Sequence, residues 1–197
     1  MKEWLQLEPL IDGVLSLEMT SEQAAFIRTD IVRWKWVVIA LHNALQGFMV
    51  SALAGSNGFA VLRDKDVKRW HETRGKTQRS PMPKSKLKDF MELYELIKSD
   101  RMIRFIHSRK LNATPQQDAS VLALHNLRND FIHFTPRILA VETLGLPEIC
   151  QDALSVIEFC GWNSGNVVWI QVPETRASLA LNSALQAIQG LKNEEQP

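Results

Sequence analysis

Cysteine is scarce in this 197-residue sequence, which holds only Cys150 and Cys160. They stand ten residues apart on one predicted helix, and no metal-ligand spacing includes them. Two buried thiols in a reducing compartment are the natural expectation, with no metal site and no cofactor. Glycine and proline are also sparse, at nine and eight residues, and the prolines cluster where helices would stop. The first residues, Met1-Lys2-Glu3-Trp4, lack the apolar core and small-residue cleavage site of a secretory signal. A strong net charge is missing too: the chain carries +1. What remains is an ordinary globular balance, 45% apolar and 23% charged, in a length that fits one domain able to bury a full core.

The charge is unevenly placed. Between residues 63 and 88 there are ten basic and three acidic side chains, so that segment is +7 and the remainder is −6. Such asymmetry points to an anionic partner, with a solvated mobile loop as the plainer alternative.

Hydrophobic periodicity predicts an all-α fold: an up-and-down helical bundle with a long central helix, and a basic loop or insertion at residues 55–84. A short helix is expected over residues 3–17. Thr20, with Gln23 three residues on, has the capping-box form and would open a helix reaching residue 54. Gly55-Ser56-Asn57-Gly58 is a strong stop. Residues 36–54 are apolar enough to be mistaken for a membrane span, but His42, Asn43 and Gln46 would be costly in hydrocarbon, so the segment reads as a core helix and no membrane is expected. Arg28, Lys35, His42 and Gln46 form one polar stripe on it, facing either water or a functional groove. Further helices are expected over residues 84–99, 100–108, 115–134, 147–161 and 173–191, the third of these capped by Thr114 with Pro115 in its first turn. Residues 167–172 are briefly strand-like. There is no tandem repeat, and the echo between Leu41-His42-Asn43 and Leu124-His125-Asn126 is too brief to be one.

The helix at 115–134 carries the most informative residues. Val121, Leu124, Leu127, Phe131 and Phe134 make an apolar face, and His125, Asn126, Asn129 and His133 lie opposite. His125, Asn129 and His133 recur every four residues, so they stack turn upon turn, with Arg128 between the faces. Exposed helix faces usually carry Lys and Glu; amides have lower helix propensity. The column is therefore either a polar seam satisfied by a neighbouring helix or a catalytic or phosphate-binding site. Histidine moves protons near neutral pH, and arginine binds phosphate through a planar fork. Together they suit attack of a ribose 2′-hydroxyl on the adjacent phosphate without a metal.

The run Arg128-Asn129-Asp130-Phe131-Ile132-His133 resembles the motif of HEPN domains, an Arg, a polar residue, then a His some four to six positions on. The resemblance is close over this helix and only architectural elsewhere. HEPN domains are helical bundles that commonly dimerise with two motif helices facing each other. Many are metal-independent ribonucleases of toxin, antiphage or RNA-processing systems, and others are inactive binding modules. The resemblance implies Arg128 and His133 as catalytic residues, Asn129 as their polar support, and a composite site across a homodimer. An antitoxin or regulatory protein is a further expected partner, and a cytoplasmic location is expected. The alternative is a catalytically silent HEPN-like dimer that binds RNA, nucleotide or a protein partner. His125 and Asn126 lie outside the motif but share its face. Lys65, Lys68, Arg69, Arg74, Lys76 and Arg79 could bind RNA phosphates, with Trp70 as a stacking platform.

Overall fold

The computed structural model describes residues 4–74, 84–133, 136 and 138–193, with Arg74 described by its backbone alone. The fold is all-α. Among the described residues seven helices run in the order α1 Pro9–Ala24, α2 Trp34–Ala54, α3 Asp64–Arg74, α4 Phe90–Lys98, α5 Pro115–Ile132, α6 Leu146–Glu158 and α7 Glu174–Lys192. No strand forms among the described residues; Leu62 and Leu87 make an isolated antiparallel bridge. The strand-like alternation at 167–172 is satisfied without a sheet: Val167 and Trp169 pack on the core, whereas Val168 and Ile170 face out.

α2 is the spine. α1, α4, α5 and α6 all pack on it, and α7 closes over α1 and α6. Val37, Val38, Leu41, Leu45, Phe48, Met49 and Leu53 on α2 are all buried. Ile31–Ala54 is long and apolar enough to cross a membrane by length and composition, but 72% of its most apolar stretch is buried inside the protein. Its hydrophobicity is that of a core helix surrounded by other helices.

The chain reaches α2 by a route the sequence pattern did not predict. The expected long helix from residue 20 is two elements, and Thr20 caps nothing. Its buried hydroxyl donates to the Ser16 carbonyl one turn back, at 2.8 Å, inside α1. The chain leaves α1 after Ala24, turns through residues 25–29, and passes a single 3-10 turn at Ile31–Arg33 before α2 begins. Asp30 is extended and accepts from Arg33 at 3.0 Å, which marks the break. α1 then lies antiparallel to α2, so Arg28 belongs to the connection and not to the polar stripe of the spine. The first helix correspondingly starts at Pro9, where proline suits the first turn, rather than near residue 3.

Close approach of α1 and α2 rests on glycine. A Cβ on Gly47 would stand 2.5 Å from the Pro9 carbonyl oxygen and 3.0 Å from Gly13 Cα. Both neighbours are backbone, so neither can rotate aside. Asn43 fixes the register, donating from Nδ2 to Asp12 Oδ2 and to Ser16 Oγ, each at 2.8 Å.

Other boundaries follow local chemistry. Gly55 and Gly58 have φ of 57° and 68°, and the expected stop after residue 54 is there. The expected helix at 84–99 starts only at Phe90, because the preceding residues pair with residues 61–63: Arg63 N–H donates to the Lys86 carbonyl and Lys88 N–H to that of Val61. The expected helix at 100–108 is reduced to a 3-10 turn at Asp100–Met102. α5 opens as expected, with Gln117 N–H donating to Thr114 Oγ1 at 3.1 Å and Thr114 N–H to Gln117 Oε1 at 3.0 Å. α6 continues into a π turn at Phe159–Asn163, and Cys150 and Cys160 are buried free thiols.

The glycine contact gives a test. Gly47→Ala is expected to lower the unfolding free energy by roughly 1–3 kcal/mol, because the added methyl must force two backbones apart. Urea titration of the two proteins measures it; equal midpoints would mean that α1 has room to shift.

Candidate functional site

α5 lies against α2 with its polar column turned inward over part of its length. His42, on the spine, is only 2% exposed. Its Nε2 lies 3.0 Å from His125 Nδ1. His125 Nε2 in turn lies 3.1 Å from Asn129 Nδ2, and Arg128 Nη1 donates to Asn129 Oδ1 at 3.0 Å. The four side chains form one continuous line, Arg128 to Asn129 to His125 to His42.

The direction of this line can be deduced. A guanidinium has no acceptor, so the amide oxygen of Asn129 must face Arg128. Its NH2 group then faces His125 and donates to Nε2. His125 is therefore neutral, carries its proton on Nδ1, and donates to His42 Nε2. His42 must in turn be neutral with its proton on Nδ1. Every hydrogen bond points the same way, from the cation toward the core.

Ring packing and electrostatics agree with that assignment. Phe90 of α4 stacks on both imidazoles, at centroid distances of 3.9 Å from His42 and 5.1 Å from His125. Burial pushes the His42 pKa down to about 3, and the positive charge of Arg128 and the neighbouring His125 add to it. His125 is lowered as well, first by burial and then by Arg128, with Asp89 opposing.

The rest of the predicted column is outside this line. Asn126 is exposed, and so is His133, which is the C-cap of α5 with its N–H donating to the Asn129 carbonyl at 2.9 Å. Arg128 and His133 are five residues apart, about 140° around a helix, so in one chain they point in different directions. On the Arg128 side is a cavity of about 520 Å³ bordered by His42, Arg128, Met19, Trp36 and Ile132. Its rim is apolar and open: Met19, Trp36 and Ile132 are 44%, 50% and 44% exposed. No group of three or more metal-ligating side chains occurs among the described residues.

The first part of the basic segment is helical. Residues 64–74 form α3, and several of its charges are matched locally. Lys88, nearly buried, donates to Asp64 at 2.6 Å. Buried Asp66 accepts from the Lys86 N–H at 2.9 Å and lies 3.5 Å from Arg69. Lys65, Lys68 and Arg69 are exposed. Trp70 is half-buried and meets Phe59 edge to face at 4.6 Å. Lys76 and Arg79 lie outside the described residues, as does the Arg74 side chain.

Sequence reasoning placed His42 in a polar stripe facing water or a groove, and missed both its pairing with His125 and the part played by Phe90. His42 stood out as a polar residue on an apolar helix, and its signal was the Leu-His-Asn triplet shared with residues 124–126. The two histidines of that echo are the bonded pair. No family model, curated protein or solved structure matches the chain.

The neutral pair makes stability depend on pH with a defined sign. The folded protein holds fewer protons on His42 than the unfolded chain does between its lowered value, about 3, and the ordinary 6.5. The contribution is complete above 6.5 and is lost as pH falls toward 3. From His42 alone, on the order of 2 kcal/mol should disappear between about pH 7.5 and about pH 5. His42→Gln should be less stable at neutral pH and should show a flatter decline. Denaturant titrations at both pH values check this; an unchanged slope in the variant would remove His42 as the cause.

Proposed function

We propose that this chain is a HEPN-like, metal-independent endoribonuclease of the cytoplasm that works as a homodimer. One observation carries the reading: Arg128 is held by an amide that is itself fixed by the His125–His42 pair, while His133 stands free of that line at the end of the same helix. A preorganised cation beside an accessible proton carrier is what cleavage at a ribose 2′-hydroxyl requires.

In this reading His133 takes the proton of the 2′-hydroxyl, whose oxygen attacks the adjacent phosphorus. The bond to the 5′ oxygen breaks, that oxygen takes a proton from solvent water, and a 2′,3′-cyclic phosphate remains. Arg128 holds the phosphate oxygens as charge builds in the transition state. Asn129, His125 and His42 are positioning residues. They keep Arg128 aimed, and as neutral groups they add no charge of their own. Because Arg128 and His133 diverge within one chain, a site containing both needs a second copy. The apolar rim of Met19, Trp36 and Ile132 beside Arg128 supplies a surface on which that copy could seat. Lys65 and Lys68 would add sequence-independent phosphate contacts.

A second reading is a catalytically silent HEPN-like dimer that binds RNA, nucleotide or a regulatory protein such as an antitoxin. Its support is that both ends of the Asn129 amide are used within the monomer.

Cleavage of a panel of RNAs in EDTA distinguishes the two. Wild type should cut, and Arg128→Ala and His133→Ala should each lose about a hundredfold or more in rate. Mixing those two inactive variants and allowing subunits to exchange should restore part of the activity, since one mixed site regains both groups. RNA binding without cleavage selects the silent dimer. No rescue from demonstrably mixed dimers would rule out a site shared between copies.

A further inference from the structure

A second cavity lies at the other end of α2, with Gly55 thirteen residues beyond His42, about 20 Å along the helix axis. Its volume is about 420 Å³, and it is separate from the cavity beside Arg128. Pro9, Phe105 and Val168 give it apolar walls, and Arg104, Glu8 and Gln171 give it polar groups. Phe105 and Val168 are 52% and 64% exposed, so the mouth is open to solvent.

Arg104 is the unusual member. Its Nε is buried and makes no hydrogen bond with any described residue. The guanidinium as a whole has no ion-pair or hydrogen-bond partner among the described residues. Burial works against its charge. A buried donor left unmatched costs on the order of 1–3 kcal/mol. The group lies directly against the end of α2: a Cβ on Gly55, whose φ is 57°, would fall 1.8 Å from Arg104 Nη1. The helix C-terminus there has its carbonyl end outward, which favours a cation.

We infer that this cavity binds a small molecule bearing a carboxylate on an apolar body, with Arg104 as the carboxylate anchor. The walls fit the apolar body, and a guanidinium fork matches the two oxygens of a planar carboxylate. A single negative charge is favoured over a phosphate dianion. Arg104 is the one cation among the described lining residues, and both Glu8 and the carbonyl end of α2 oppose a second negative charge. Gln171 adds an amide to the same lining. The site is independent of the ribonuclease reading, and each can fail without the other.

Calorimetry and thermal-shift titration with hexanoate, benzoate, hexanamide and inorganic phosphate test the inference. Wild type should bind hexanoate or benzoate saturably, with a Kd of about a millimolar for ligands of this size. Arg104→Gln should weaken that binding roughly tenfold and leave the weaker hexanamide binding unchanged. Val168→Trp narrows the mouth from an exposed position and should weaken carboxylate and amide alike. Circular dichroism melts establish that each variant is folded. Failure of wild type to bind either carboxylate overturns the proposal. So does equal binding by Arg104→Gln, or phosphate binding tighter than both carboxylates.

Discussion

The hydrogen bond between His42 and His125 is the interaction on which the arrangement of this protein turns. α2 is enclosed by α1, α4, α5 and α6, and His42 in its middle is only 2% exposed. His42 must be satisfied by a neighbour, and α5 supplies one. Phe90 of α4 then clamps both rings by stacking. Three helices are thereby set against each other by two neutral imidazoles and one phenyl ring. Leaving either imidazole without its partner in that interior would cost more than the bond itself contributes.

The same constraint reaches the surface. Because a guanidinium can only donate, the Asn129 amide oxygen must face Arg128, its NH2 must donate to His125, and His125 must donate to His42 Nε2. The buried histidine pair and an arginine at the edge of an open cavity are thus tied into one chain of bonds. His133, one turn beyond Asn129, is past the end of this line, and its exposure contrasts with the fixed groups before it. The division between a cation held by Asn129 and an exposed imidazole gives the α5 end its chemical character.

Much of the fold was legible because it rests on local signals. Thr114-Pro115 with Gln117 opens α5 where the sequence says it should, and Gly55 to Gly58 ends α2. Errors arose where a tertiary contact overrode a local pattern. Thr20 has the form of a cap, but its hydroxyl found a carbonyl one turn back, and the antiparallel packing of α1 on α2 needs a turn where the apolar pattern suggested continuous helix. Leu87 fits a helical face, but pairing with Leu62 holds it extended. At the candidate site, helical spacing grouped His125 with Asn129, yet it also placed His133 in the same column, since a wheel carries no information about where a helix ends. The link to His42 spans 83 residues. The repeated Leu-His-Asn triplet hinted at it, but only packing could join the two copies.

The one-way line from Arg128 to His42 also bears on how this sequence can drift. Each member is both a donor and an acceptor for fixed neighbours, except at the two ends. Replacing Asn129 alone with Asp would change what faces His125; replacing His42 alone with Leu would leave the His125 N–H pointing at a methyl group. Substitutions that keep the interior satisfied must come in pairs or larger sets. These four positions should therefore vary together among related chains, with Phe90 changing when the rings it covers do. Such coordinated change would record the bond network more faithfully than invariance at any one residue.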